Sequence, residues 1–209
     1  MYSGITRGLF PVVSVEARAG VTRFAVELND LLSANVEQGA SIAIDGVCLT
    51  VVAQEGRRIS FEAIAESESR STLDALAVGR LVSVERSVKV GDELGGHDVF
   101  GHVIGTGRVL QRKLVGEQLD LTIGVPAAWM KYILPKGFVA LDGSSLTVSE
   151  ERTRDSFSVH LIPETLRLTN FSKREVGDRV NVELDPRTVA IVDTVERVLN
   201  ERYPRSSGD

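Results

Sequence analysis

The chain has 209 residues, a formal net charge of -5, and 43% hydrophobic, 25% charged and 5% aromatic residues, which suits one large or two small globular domains. Scattered basic residues and sparse aromatics argue against a nucleic-acid partner, whether bound through a charged footprint or through base stacking. Cys48 is the single cysteine, so no intrachain disulfide can form, and no Cys/His cluster has zinc-ligand spacing.

From the first residue onward, Met1-Tyr2-Ser3-Gly4-Ile5 has no basic segment followed by an apolar run, so no signal peptide is expected. Nowhere do 18 apolar residues run together, so the expectation is a cytoplasmic protein with no membrane partner. Residues 12–15, 41–44, 48–52 and 81–84 are short, rich in β-branched residues, and punctuated by Gly, Asp or Asn, the pattern of strands in an all-β barrel or sandwich. Asp45-Gly46 and Asp142-Gly143 each separate two such runs, and the glycine supplies the positive φ of a tight hairpin. Residues 187–203 follow Pro186 and carry Val189, Val192, Val195, Val198 and Leu199 at helical spacing. That helix could pack on its own barrel or associate with copies of itself.

An internal duplication organises these elements. Residues 4–8 match 101–105 and residues 44–51 match 141–148 at an offset of 97. Residues 61–67 match 159–165 and residues 78–85 match 176–183 at an offset of 98. Blocks in the same order with one residue of drift mark a tandem repeat. The expected fold is all-β: two tandem homologous six-stranded Greek-key β-barrels plus a C-terminal α-helix. Its expected domains are 1–97 and 98–186, two barrels, followed by 187–209, a helix and tail.

The chemistry legible without a family is modest. Each repeat offers Leu-Thr-Val after its tight turn, with Thr50 and Thr147, although threonine on a strand is more often a plain β-former. His102 stands where the first repeat has Ile5, five residues after His97. Histidine is the usual proton carrier near neutral pH, yet a single one is more often structural. Cys48 reads by itself as a small buried hydrophobe. A serine-hydrolase elbow and a phosphate-binding loop are absent.

Several blocks together resemble the riboflavin synthase family, alpha chain. They are Met1-Tyr2-Ser3-Gly4-Ile5, Gly46-Val47-Cys48-Leu49-Thr50-Val51, Gly95-Gly96-His97 with Gly101-His102-Val103, and Met130-Lys131-Tyr132-Ile133. Lys136-Gly137-Phe138, Asp142-Gly143-Ser144-Ser145-Leu146-Thr147-Val148 and His160-Leu161-Ile162-Pro163-Glu164-Thr165-Leu166 complete the set, so the likeness runs from residue 1 to about 202. The resemblance implies a homotrimer held partly by the C-terminal helix, with lumazine synthase as a further candidate partner. It implies dismutation of two 6,7-dimethyl-8-ribityllumazine molecules to riboflavin and 5-amino-6-ribitylaminopyrimidinedione, without metal or redox cofactor. It also implies two ligand shells. In the N-barrel these are Gly4, Ile5, Thr6, Ser41, Cys48, Leu49, Thr50, Glu62, Ala63, Ile64, Ala65, Glu66 and Ser67. In the C-barrel they are Gly101, His102, Val103, Lys136, Ser145, Leu146, Thr147, His160, Leu161, Ile162, Pro163, Glu164 and Thr165. His102 with Thr147 is the expected proton-handling pair, and Cys48, Ser41 and Thr50 would support the partner substrate. The chain departs from the family pattern at Tyr2, Ser3, Phe100, Ser144 and in Glu66-Ser67-Glu68-Ser69-Arg70-Ser71, which keeps a second expectation open: a non-catalytic protein binding lumazine, riboflavin or FMN as antenna, carrier or sensor.

Overall fold

The structure is a computed structural model and describes residues 1–18 and 20–203. Twelve strands form two closed six-stranded barrels. The first contains β1 (Leu9–Arg18), β2 (Val21–Glu27), β3 (Ser41–Ile44), β4 (Val47–Glu55), β5 (Arg58–Ile64) and β6 (Leu81–Arg86), in spatial order β1-β2-β5-β4-β3-β6. The second contains β7 (Gly105–Val115), β8 (Gln118–Gly124), β9 (Phe138–Leu141), β10 (Ser144–Arg152), β11 (Ser156–Leu161) and β12 (Arg179–Leu184). Neighbouring strands in both barrels run antiparallel, and the crossing order is the Greek key expected from the repeat.

Period-two alternation decides which residues fill each barrel. Along β5, Ile59, Phe61 and Ala63 are fully buried, while Arg58, Glu62 and Ile64 face outward. Phe61 packs on Phe24 with ring centroids 5.5 Å apart, and Val12, Val26, Ile42 and Val84 close the same core. Leu119, Leu121 and Ile123 of β8 do the equivalent work around Phe157 and Phe171. Register shifts occur at Val12/Ser14 and Val51/Ala53, and again at Val109/Gln111 and Val148/Arg152. Such bulges bend strands, which closing a six-stranded barrel requires.

Among the described residues, three short α-helices and one long one decorate the barrels: α1 (Asp30–Ser33), α2 (Ala65–Arg70), α3 (Pro163–Leu168) and α4 (Pro186–Arg202). α2 and α3 occupy the same place after β5 and β11. The helix α4 begins with Pro186 at its first turn and is capped by Asp185, whose carboxylate accepts from the amides of Arg187 and Thr188. Val189 packs against the second core, but Ile191, Val195, Val198 and Leu199 remain exposed. No described helix is long and apolar enough to cross a membrane.

The two Asp-Gly turns meet back to back between the barrels. Asp45 and Gly46 have φ of 45° and 79°, Asp142 and Gly143 of 43° and 84°, so both turn residues adopt the left-handed region expected for the tight hairpin. Each buried aspartate is clamped by an arginine and a strand amide: Asp45 by Arg80 at 2.7 Å and the Ser83 amide, Asp142 by Arg174 at 2.5 Å and the Asn181 amide. Asn181 then stitches the barrels, accepting from the Thr72 amide at 2.7 Å and donating to the Asp45 carbonyl at 2.7 Å.

Candidate functional sites

The segments that lead into the first strand of each repeat exchange partners. The Gly4 carbonyl accepts from the Ser145 amide of β10 at 2.8 Å, and Thr6 Oγ1 lies 2.8 Å from Ser144 Oγ. Reciprocally, the Gly101 carbonyl accepts from the Cys48 amide of β4 at 3.0 Å. Tyr2 and Val99 pair with each other, and with Ala43 and Ala140 they form a small apolar cluster at the crossing. Two buried glutamates hold the crossing segments. Glu85 accepts from the amide and hydroxyl of Ser3, and Glu183 from the amides of Phe100 and Gly101. Burial raises both carboxyl pKa values, and the donated hydrogen bonds only partly offset it.

This exchange corrects the grouping of the expected ligand shells. Repeat position alone puts Gly4, Ile5 and Thr6 with the first barrel and Gly101, His102 and Val103 with the second. The structure lays each trio on the opposite barrel, because each turns away from its own β-strand neighbours at a positive-φ glycine, Gly4 at 72° and Gly101 at 76°. His102 therefore sits beside Cys48, whereas Thr147 stands on β10 of the other barrel, so the expected His102–Thr147 pair is not brought together within the chain.

The first site has a cavity of about 270 Å³. Val47 and Cys48 of β4, Glu66, Ser67 and Arg70 of α2, Ser71 beyond it, and the crossing Gly101, His102 and Val103 line it. Tyr2 is wholly buried and its hydroxyl donates to Cys48 Sγ at 3.1 Å. Burial holds the phenol protonated far above its ordinary range. The adjoining outer strand face carries Ser41, opposite Thr50, with exposed Glu62 and Ile64 beyond. Leu49 and Ala63 point into the barrel core instead, so only their main-chain groups could meet a ligand. Ala65 is exposed at the start of α2.

On the second barrel, the outer face of β9–β11 carries Phe138, Ser145, Thr147 and His160. His97 stacks on Phe138 at 5.2 Å, its amide donates to Ser145 Oγ, and its Nδ1 lies 2.7 Å from the same oxygen. Burial lowers the His97 pKa, and its buried Nε2 has no partner among the described residues. His160 Nδ1 is 2.6 Å from Asp120 on β8. Ile162, Pro163 and Glu164 are exposed and Thr165 half-buried, whereas Leu146 and Leu161 belong to the core. Lys136 is exposed with φ of 60° and lies 3.7 Å from Glu150.

Val47, Arg70 and Ser71 also line the first site; the sequence marks Val47 only within a motif and Arg70 and Ser71 only as departures from the family pattern, none as a ligand contact. The repeat alignment could have exposed Arg70, because 98 residues on the chain has Leu168. The paired glutamates were likewise visible as Val-Glu at the same repeat position, but not their grip on a segment from 82 residues away. Among the described residues no cluster of His, Cys, Asp and Glu suited to a metal ion is found.

The fold and site define a duplicated six-stranded-barrel protein with a polar cavity and a hydroxyl-lined strand face. The lumazine binding domain model matches residues 3–87 and again residues 100–185. The chain is 43% identical over 203 residues to riboflavin synthase of Escherichia coli (strain K12), covering 97% of this chain and 95% of that one. It is 41% identical to riboflavin synthase of Buchnera aphidicola subsp. Baizongia pistaciae (strain Bp), covering 95% and 94%, and 38% identical to that of Chlamydia pneumoniae, covering 95% and 97%. Crystal structures of LumP complexed with riboflavin and with 6,7-dimethyl-8-(1'-D-ribityl) lumazine share the fold. Their TM-scores are 0.82 and 0.79, at 24% and 23% identity, and the matches cover 88% of this chain with 100% and 99% of theirs. The chain belongs to the riboflavin synthase family of lumazine-binding proteins.

Proposed function

We propose that this protein is a riboflavin synthase that dismutates two molecules of 6,7-dimethyl-8-ribityllumazine into riboflavin and 5-amino-6-ribitylaminopyrimidinedione. The carrying observation is the reciprocal exchange, which gives each barrel a matched site completed by the other repeat. Full-length similarity to curated riboflavin synthases supports the activity, and LumP bound to riboflavin and to the lumazine supports the ligands. Two like substrates suit two like sites, and holding them in register would supply much of the rate.

In this reading Ser41, Cys48 and His102 serve the first site, and Ser145 with Thr147 the second. The strand edges and the α2 and α3 segments meet the ring and its polyol tail. The working enzyme is read as the homotrimer that the family resemblance implies, with α4 as part of its clamp; the apolar stripe that α4 leaves uncovered supports association. The protein acts in the cytoplasm with no resident cofactor, and its two binding domains are residues 1–97 and 98–186. Incubation with the lumazine alone, without added metal or cofactor, is expected to yield one riboflavin for every two lumazines consumed, followed by chromatography. Tight binding with no riboflavin formed would overturn the synthase and leave a binding protein.

A further inference from the structure

Equivalent positions of the two repeats are anchored by different chemistry. Cys48 of β4 and Ser145 of β10 stand 97 residues apart, at matching places opposite Ala43 and Ala140. Each gives its amide hydrogen to the other repeat's lead-in segment, Cys48 to the Gly101 carbonyl at 3.0 Å and Ser145 to the Gly4 carbonyl at 2.8 Å. Each also has its side-chain heteroatom held by the segment that precedes its own barrel. Ser145 Oγ is gripped by the amide and the Nδ1 of His97, whereas Cys48 Sγ accepts from the Tyr2 hydroxyl at 3.1 Å. The residue 97 positions on from Tyr2 is Val99, which has no side-chain donor, so the second barrel uses His97 in its place.

Tyr2 is a rigid donor. Its amide donates to the Val99 carbonyl at 2.7 Å, and its carbonyl accepts from the Val99 amide at 3.1 Å. Its side chain is fully buried in the cluster of Ala43, Val99 and Ala140. Burial keeps the phenol protonated, so the hydroxyl is a donor at neutral pH. Cys48, by contrast, is half-buried and lines the first barrel's cavity. A cysteine side chain left to itself turns among staggered rotamers, and a fixed donor aimed at the sulfur selects one of them. A sulfur that accepts from Tyr2 keeps its own S–H to give elsewhere.

We propose that Tyr2 is a positioning residue of the first site, whose hydroxyl fixes the Cys48 sulfur so that the thiol gives its hydrogen to an acceptor atom of the lumazine bound there. This assignment rests on the function proposed above and deepens it by giving the thiol an anchor and an orientation. Cys48 is the single cysteine, so the S–H stretching band in the infrared reports this thiol alone. Tyr2→Phe keeps the buried ring and removes only the hydroxyl. It is expected to broaden that band, as the thiol spreads over several rotamers. It is also expected to weaken binding of 6,7-dimethyl-8-ribityllumazine about fivefold at one of the two sites, read by titrating the ligand's fluorescence. In a Cys48→Ala background the same substitution should change that affinity by no more than about twofold, because the sulfur through which it acts is gone. Cooperative urea unfolding checks that each variant is folded. An unchanged S–H band, an affinity untouched by Tyr2→Phe, or a loss that persists undiminished beside Cys48→Ala would overturn the assignment while leaving the synthase reading intact. Lumazine that binds but yields no riboflavin overturns the synthase reading, and the same binding cycle still decides the role of Tyr2. Failure of the unaltered protein to bind the lumazine overturns both.

Discussion

A methyl group added at Gly46 would meet the Cα of Gly143 at 2.8 Å, and the reverse holds for Gly143. Both glycines also need positive φ, so the contact combines a backbone requirement with a steric one. Gly46→Ala is therefore expected to destabilise the protein by about 3 kcal/mol, the sum of left-handed strain and a displaced barrel contact, measured by urea unfolding. A loss under 1 kcal/mol would show that the two turns separate easily. The Asp-Gly pairs were legible as turns because local φ preferences are written in the residues themselves. That the turns touch was not legible, since no property of either glycine records what lies opposite it. His102 teaches the same lesson. Its substitution for Ile5 of the first repeat marked it for attention, but Gly101 sends it across to Cys48, and only the fold reveals that.

At the scale of elements, strand alternation and repeat spacing carried the architecture from the sequence. Residues 41–44 coincide with β3, and the apolar positions expected on residues 187–203 lie on α4 (Pro186–Arg202). Buried and exposed faces follow period two, which the residues of β5 declare openly. The sites were less legible because their ligand-facing groups are on outer strand faces, where hydroxyls and charges resemble ordinary solvated surface. The helix α4 left two roles open, and the structure gives it a divided answer. Val189 rests on the second barrel, Lys131 and Tyr132 bond Asp193, and Ile191, Val195, Val198 and Leu199 stay uncovered. Removing the residues after Asp185 is expected to convert trimers to monomers in sedimentation velocity, because an apolar helical stripe of this size is an association surface. A truncated chain that still sediments as a trimer would place the clamp elsewhere.

For the whole molecule, the buried acids at the crossing set how stability varies with pH. Burial, reinforced by the facing Asp142 and opposed by Arg80 and Arg174, pushes Asp45 up to about 6. Glu85 and Glu183 are raised for the same first reason. A carboxyl raised in the folded state binds its proton more tightly there than in the unfolded chain. The stability it contributes is complete below the ordinary carboxylate value of about 4 and is lost as pH rises through about 6. Urea midpoints should accordingly increase between pH 7 and pH 5, before acid protonates Glu164 and Asp185, whose pKa values are lowered. The rise is opposed only in part by His97, whose lowered pKa makes the unfolded chain the better proton binder there. A midpoint that falls steadily over that interval would contradict the assignment. The exchanged lead-in segments also bear on descent. A single ancestral module would carry a segment that fits not its own barrel but another copy's, so it could be complete only as a pair. Gene fusion would have turned that meeting between molecules into one within a chain, independent of how dilute the protein is. It would also have freed the two sides to diverge, which is what Ile5 against His102, and Leu168 against Arg70, now record.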